Sequence, residues 1–125
     1  MNTRKLEVDE KVLITENLRD ICLREGWDFH KHMVNKVTPI IRVNLALKYM
    51  CTGKIVPAVS VQGTHYVIPT ECLIVKGSLV YDNARRTLCI VITIGKKYAL
   101  IANCKSGMRS LRLNEKLKLI KNYIK

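Results

Sequence analysis

Two patterns of apolar and polar positions divide the chain near Gly53. Before it, apolar residues recur at spacings of three and four: Leu13 or Ile14, Leu18, Ile21 and Cys22 form one stripe, and Ile40, Ile41, Leu45, Leu47 and Met50 another. That period is helical. The first helix is expected to begin at a capping Asp9, with Glu10 complementing the positive end of its dipole, and to stop at Gly26. A second is expected to start at Thr38-Pro39, where a missing N–H is harmless, and to run to Gly53. Between them, Trp27, Phe29, Met33 and Val34 or Val37 suggest one or two turns packed inward, leaving His30, Lys31 and Lys36 outside.

Beyond Gly53 the runs become short, β-branched and partly alternating. KIVPAVSV, HYVIP, CLIVKGSLVYD, TLCIVITI and KYALIANC are separated by Gly63, Pro69-Thr70, Asp82-Asn83 and Gly95-Lys96-Lys97, all turn chemistry. The last two form the clearest hairpin, folded at Gly95. Pro57 argues that the first of these strands is an edge or is interrupted. After Asn114, EKLKLIKNYIK places Leu117, Ile120, Tyr123 and Ile124 on one side of a further helix. The expected fold class is therefore α+β: N-terminal helices, a four- to five-stranded antiparallel sheet and a C-terminal helix. No internal repeat or linker is visible, so residues 1–125 are expected to form a single domain.

Composition narrows the setting. Apolar residues make up 48% and charged residues 26%, the balance of a folded chain and not of a disordered one. Cys22, Cys51, Cys72, Cys89 and Cys104 are odd in number and lack a C-x-x-C, which reads as buried thiols in a reducing cytoplasm. The N-terminus MNTRKLEVDEK is charged throughout, and the longest apolar runs, such as LCIVITI, have strand length. A cytoplasmic protein without a membrane partner is expected.

Charge changes the picture more. The net charge is +12, and residues 1–28 hold seven acids against five bases, while the remainder holds 17 bases and three acids. So one-sided a charge repels itself on folding, and a polyanionic partner is the usual reason to tolerate it. Nucleic acid is the first candidate, with RNA preferred over DNA. The alternatives are an acidic protein, an anionic membrane surface, or a small basic protein with no such partner.

The chemistry available is limited. No C-x-x-C, H-x-x-x-H or H-E-x-x-H spacing gathers metal ligands, no Walker-type loop or G-x-S-x-G elbow is present, and acids are too few for a two-metal centre. No metal or cofactor is expected. Metal-free cleavage of an RNA phosphodiester needs only a base for the 2′-OH, an acid for the leaving oxygen, and cations for the phosphoryl oxygens. His30, His32 and His65 are the only histidines, and they suit the first two roles because their ordinary pKa lies near neutrality. Arg85, Arg86, Lys96, Lys97, Lys105, Arg109 and Arg112 supply the cations. Tyr66, Tyr81 and Tyr98 offer proton transfer or base stacking. The plain readings stand beside these: solvated histidines, packed tyrosines, and a hydrated hairpin tip at Arg85-Arg86.

Two stretches carry a family resemblance. WDFHKHMVNKVTPIIRVNLALKYMCTGKI, with its early Phe-His, and GSLVYDNARRTLCIVITIGKKYALIANCKSGMR, paired strands ending in an arginine, resemble the small metal-independent endoribonucleases of the RelE superfamily, including the phage RegB type. That resemblance covers about two-thirds of the chain as pattern. It implies binding of messenger RNA, often on the ribosome, without a cofactor. It also implies acid–base roles for His30, His32 or His65 and a phosphate clamp from Arg85, Arg86 or Arg109. The expected function is thus a nucleic-acid-binding protein acting as a metal-independent endoribonuclease. Its rival is a non-catalytic RNA- or DNA-binding regulator, or an inhibitor of a host nucleic-acid-processing complex, in keeping with a viral origin.

Overall fold

Every strand after the first expected helix boundary pairs antiparallel, and the pairing divides the chain into two sheets. The computed structural model describes residues 4–63 and 67–124. The first sheet contains β1 (Lys11–Ile14), β2 (Val37–Lys48), β3 (Ile55–Val61), β4 (Val67–Pro69) and β5 (Leu73–Ile74), in the order β5-β1-β2-β3-β4. The second contains β6 (Leu79–Asp82), β7 (Thr87–Ile94), β8 (Tyr98–Asn103), β9 (Arg109–Leu113) and β10 (Leu117–Lys121), in the order β10-β6-β7-β8-β9. One α-helix, α1 (Asn17–Glu25), lies between β1 and β2. The α+β expectation is corrected: the fold is mostly β, with two five-stranded sheets and no C-terminal helix.

Each misread helix has a physical cause. Val12, Leu13 and Ile14 form a strand because both faces of β1 are buried: Val12 and Ile14 enter the first core while Leu13 enters the second. Asp9 therefore caps nothing and sits in a turn at φ 72°. The helix that does form keeps the expected buried stripe of Leu18, Ile21 and Cys22, and it stops where expected, at a left-handed Gly26. The expected helix over 38–53 is instead β2. Register shifts between Ile40 and Arg42 and between Arg42 and Leu45, with Asn44 at φ 59°, turn Ile40, Val43 and Leu47 toward one core. Bulges thus reproduce a helical spacing in an extended chain. The expected C-terminal helix is a 3-10 turn, Asn114–Lys116, and then β10, whose Leu117 and Leu119 alternate inward around an exposed Lys118. Pro57 lies in a central strand, not an edge; it pairs with Ala46 on one side, and β4 begins its ladder only at Ala58. The expected hairpin at Gly95 forms, its N–H bonded to Tyr98 O at 2.9 Å. A Cβ at Gly95 would stand 2.8 Å from that same oxygen.

The two sheets repeat one plan that the sequence hides. Each meanders through four strands, makes a 3-10 turn, and returns its fifth strand beside the first. The turns match in detail: Pro69 (φ −59°, ψ 136°) enters the turn at Thr70–Cys72 as Leu113 (φ −56°, ψ 135°) enters the one at Asn114–Lys116. Thr15 N–H donates to Cys72 O, and Asn83 N–H donates to Lys116 O. Asn35 and Arg86, just before the second strand of each sheet, both adopt left-handed φ, 62° and 56°. Their N–H groups bond Ile14 O and Asp82 O, so Ile14 and Asp82 occupy one position of the plan. Gly53 and Gly107, at φ 72° and 71°, close four-residue loops of the same hydrogen-bonded form.

The larger core lies under the first sheet and is completed by Leu18, Ile21, Cys22 and Met33 from the segment between β1 and β2. The smaller joins Val80, Cys89, Val91, Ala99, Ile101 and Leu117 to Leu13 and Ile74 of the first sheet, which packs the sheets together. The C-terminal strand adds a tie: Asn122 Nδ2 donates to Thr70 O and Leu73 O. On the other side of the second sheet, cross-strand rows such as Leu79–Ile90–Ala102–Arg109 and Leu100–Leu111 leave an apolar face in which Leu111 is 64% exposed. Among the described residues no helix is long and apolar enough to cross a membrane.

Candidate nucleic-acid interface

The charge asymmetry coincides with the division between sheets. Residues 1–75 carry ten bases and eight acids; residues 76–125 carry twelve bases and two acids. One of those two, Asp82, is buried and accepts a hydrogen bond from Arg112 Nε at 3.0 Å. The exposed charge of the second sheet is thus almost wholly positive.

β6 and β8 run in the same direction, so the turn 83–86 and the loop 104–108 close the same end of that sheet. The turn is fixed by Asp82, whose Oδ1 accepts the Ala84 N–H at 3.0 Å and whose carbonyl accepts the Arg86 N–H at 2.7 Å. The loop is fixed by Asn103, whose Oδ1 accepts the N–H groups of Lys105 and Ser106. Arg85, Arg86, Lys105 and Arg109 are all exposed on these segments. At this end opens a cavity of about 470 Å³; of the four cations only Arg85 lines it, and Arg109 lies on the opposite face, in the Ala102 row. Asp82 and Cys89, both buried, form its floor, and Thr87, Asn103 and Ser110 its half-buried wall. Arg85, Ser106 and Met108 stand exposed at its mouth.

Other expected cations lie elsewhere. Lys96 and Lys97 occupy the turn between β7 and β8 at the opposite end, with the Lys97 ammonium 5.8 Å from the Tyr98 ring centre. Arg112 points inward to Asp82 and leaves its buried Nη2 without a partner. The two described histidines lie in the segment between β1 and β2. His30 and His32 have ring centres 5.6 Å apart. His30 lines an apolar cavity of about 520 Å³ with Trp27, Phe29, Met33, Leu47 and Ile68, and His32 is exposed. His65 and Tyr66 lie outside the described residues. Among the described residues, the cavity holding His30 is lined by none of the arginines, and the one holding Arg85 by neither His30 nor His32.

Beside the histidine cavity, Tyr49 is buried and joins three elements. Its hydroxyl donates to Glu71 Oε1 at 2.9 Å, its ring lies 5.9 Å from that of Trp27, and Arg24 sits 4.6 Å over it. Burial, and then the bond to Glu71, push its phenol well above the ordinary tyrosine range. Of the cysteines, Cys22, Cys72 and Cys89 are buried, whereas Cys51 and Cys104 are exposed, contrary to the expectation of buried thiols. Burial raises the thiols of Cys22, Cys72 and Cys104, and a hydrogen bond with Glu25 raises that of Cys51. Raised thiols are poor nucleophiles at neutral pH.

Sequence reasoning named the cations at this end but not the polar groups between them. Thr87, Asn103 and Ser110 acquire a shared face only once β7, β8 and β9 are paired. A signal was present at the loop, where Asn103 and Gly107 are a turn-forming pair. No protein-family model matches the chain, and no curated protein matches it.

Proposed function

We propose that the protein is a non-catalytic nucleic-acid-binding regulator that holds a phosphate backbone at the 83–86 and 104–108 end of its second sheet. The observation that carries this reading is the presence of twelve bases and only two acids in residues 76–125, with Arg85, Arg86, Lys105 and Arg109 exposed at one end of the second sheet. Cations placed on the tips of a fixed sheet can neutralise successive phosphates and release their counterions. Cleavage through His30 or His32 does not enter this reading, because His30 lines a different, apolar cavity and His32 lies beside it; His65 lies outside the described residues. Acid–base chemistry needs those groups within hydrogen-bond reach of the phosphate that the arginines hold.

The test is retention of a labelled single-stranded RNA 20-mer on a native gel, titrated with salt. Four phosphate contacts predict a slope of log K against log salt of about −3 for a single strand. Replacing Arg85, Arg86, Lys105 and Arg109 together by alanine is expected to flatten that slope and cut affinity more than tenfold. No retention at about 50 mM salt, or a slope indifferent to the four substitutions, overturns the proposal.

A further inference from the structure

The cavity at this end is built of two chemistries. Its mouth carries the Arg85 guanidinium, but its floor is the Asp82 carboxylate, already held by the Ala84 N–H and by Arg112. A phosphate pushed inside would meet that carboxylate. A neutral group bearing N–H donors would be welcomed by it, and the Thr87 and Ser110 hydroxyls can donate or accept as required. Asn103 spends its Oδ1 on the loop backbone, which leaves its amide nitrogen outside those bonds. Met108, 63% exposed at the mouth, offers a polarisable apolar surface of the kind that packs on aromatic rings.

We infer that this cavity takes a single unstacked nucleobase, its phosphates lying outside on Arg85 and the neighbouring Arg86 and Lys105, so that the protein selects single strands over duplexes. The inference rests on the proposed nucleic-acid binding and names its substrate class. The volume of about 470 Å³ falls in the range of small-ligand sites. A duplex cannot fill it, since paired bases present only their edges and stay stacked. The base edge meets carboxylate, hydroxyl and amide groups, while the sugar–phosphate chain crosses the mouth at Arg85.

The experiment compares one 12-mer as a single strand and as a duplex, at fixed salt, with a 2-aminopurine at a central position of the single strand. Full-length protein is expected to bind the single strand at least tenfold tighter and to brighten the 2-aminopurine as it leaves the stack. Ser110→Leu, which fills the cavity without changing charge, is expected to lower single-strand affinity to the duplex level with the salt slope kept. Met108→Ala, at an exposed position that leaves the fold intact, is expected to weaken the preference about threefold. Equal binding of both forms by the unaltered protein, or a preference that survives both substitutions, overturns this inference and leaves the cationic interface standing. Failure to bind either form sinks the interface itself.

Discussion

Between its first and second strands the first sheet carries residues 15–35, including α1, where the second sheet carries only 83–86. The long segment covers its sheet: Leu18, Ile21, Cys22 and Met33 are buried in the core, and Trp27 and Phe29 wall an apolar cavity. The short turn leaves the equivalent end of the second sheet open, lined by hydroxyls, with Arg85 at the mouth and Arg86 and Lys105 exposed on the same loops. One strand plan therefore supports two surfaces of opposite character. What distinguishes them is the length of a single connection and the charge of what replaces it.

The position shared by Ile14 and Asp82 gives the strongest way to break the comparison. In the first sheet an apolar side chain fills it; in the second a buried carboxylate does, bonded to Arg112. Asp82→Ala strands that arginine and frees the Ala84 N–H, and is expected to cost about 3 kcal/mol in denaturant unfolding. Asp82→Ile with Arg112→Leu imports the pattern of the first sheet, and is expected to recover most of that loss. Recovery would show that the ion pair is there for the cavity and not for stability.

A smaller effect tests the tie between the end of β2 and the turn at Thr70–Cys72. Tyr49→Phe removes the bond to Glu71 and is expected to cost about 1.5 kcal/mol near neutrality. The pH dependence has a definite sign. Because the folded phenol is raised, an unfolded tyrosine releases its proton first, so wild-type stability falls as pH rises past about 10. The phenylalanine variant should lack that component, and unfolding midpoints at pH 8 and above pH 10 would measure it.

The smallest effect sharpens the comparison at the strand entrances, where the first sheet uses Asn35 and the second Arg86, both left-handed. Asparagine tolerates that region better than arginine. Arg86→Asn is expected to stabilise the protein by about 0.5 kcal/mol while removing one cationic contact. Gain in melting temperature together with a shallower salt slope would mark Arg86 as kept for binding at a cost in backbone strain.

How much of this the residues disclose depends on how regular each strand is. β7 and β8 are legible because two β-branched, strand-length runs meet at Gly95, where a Cβ would stand 2.8 Å from Tyr98 O, even though a register shift between Val91 and Thr93 interrupts their pairing. β2 is not, because its bulges bring Ile40, Val43 and Leu47 to one side at helical intervals. β1 is not, because burial on both faces erases the alternation by which a strand is recognised. The repeat escapes notice because its matching features are backbone dihedrals and main-chain hydrogen bonds, held by Thr70 and Asn114 or by Asn35 and Arg86 alike. At the interface, Arg85, Arg86, Lys105 and Arg109 could be named from charge alone. Their separation from Lys96, Lys97 and Arg112 is a matter of which end of a strand each occupies.

The bare apolar face formed by rows such as Leu79–Ile90–Ala102 and Leu100–Leu111 has a consequence for handling the molecule. Dilute buffer lets the large positive charge keep neighbouring copies apart. Concentrated electrolyte screens that repulsion within a few ångströms and leaves aliphatic side chains free to meet. The ionic strength that strips polyanions from the protein is thus also the condition under which it becomes adhesive to itself.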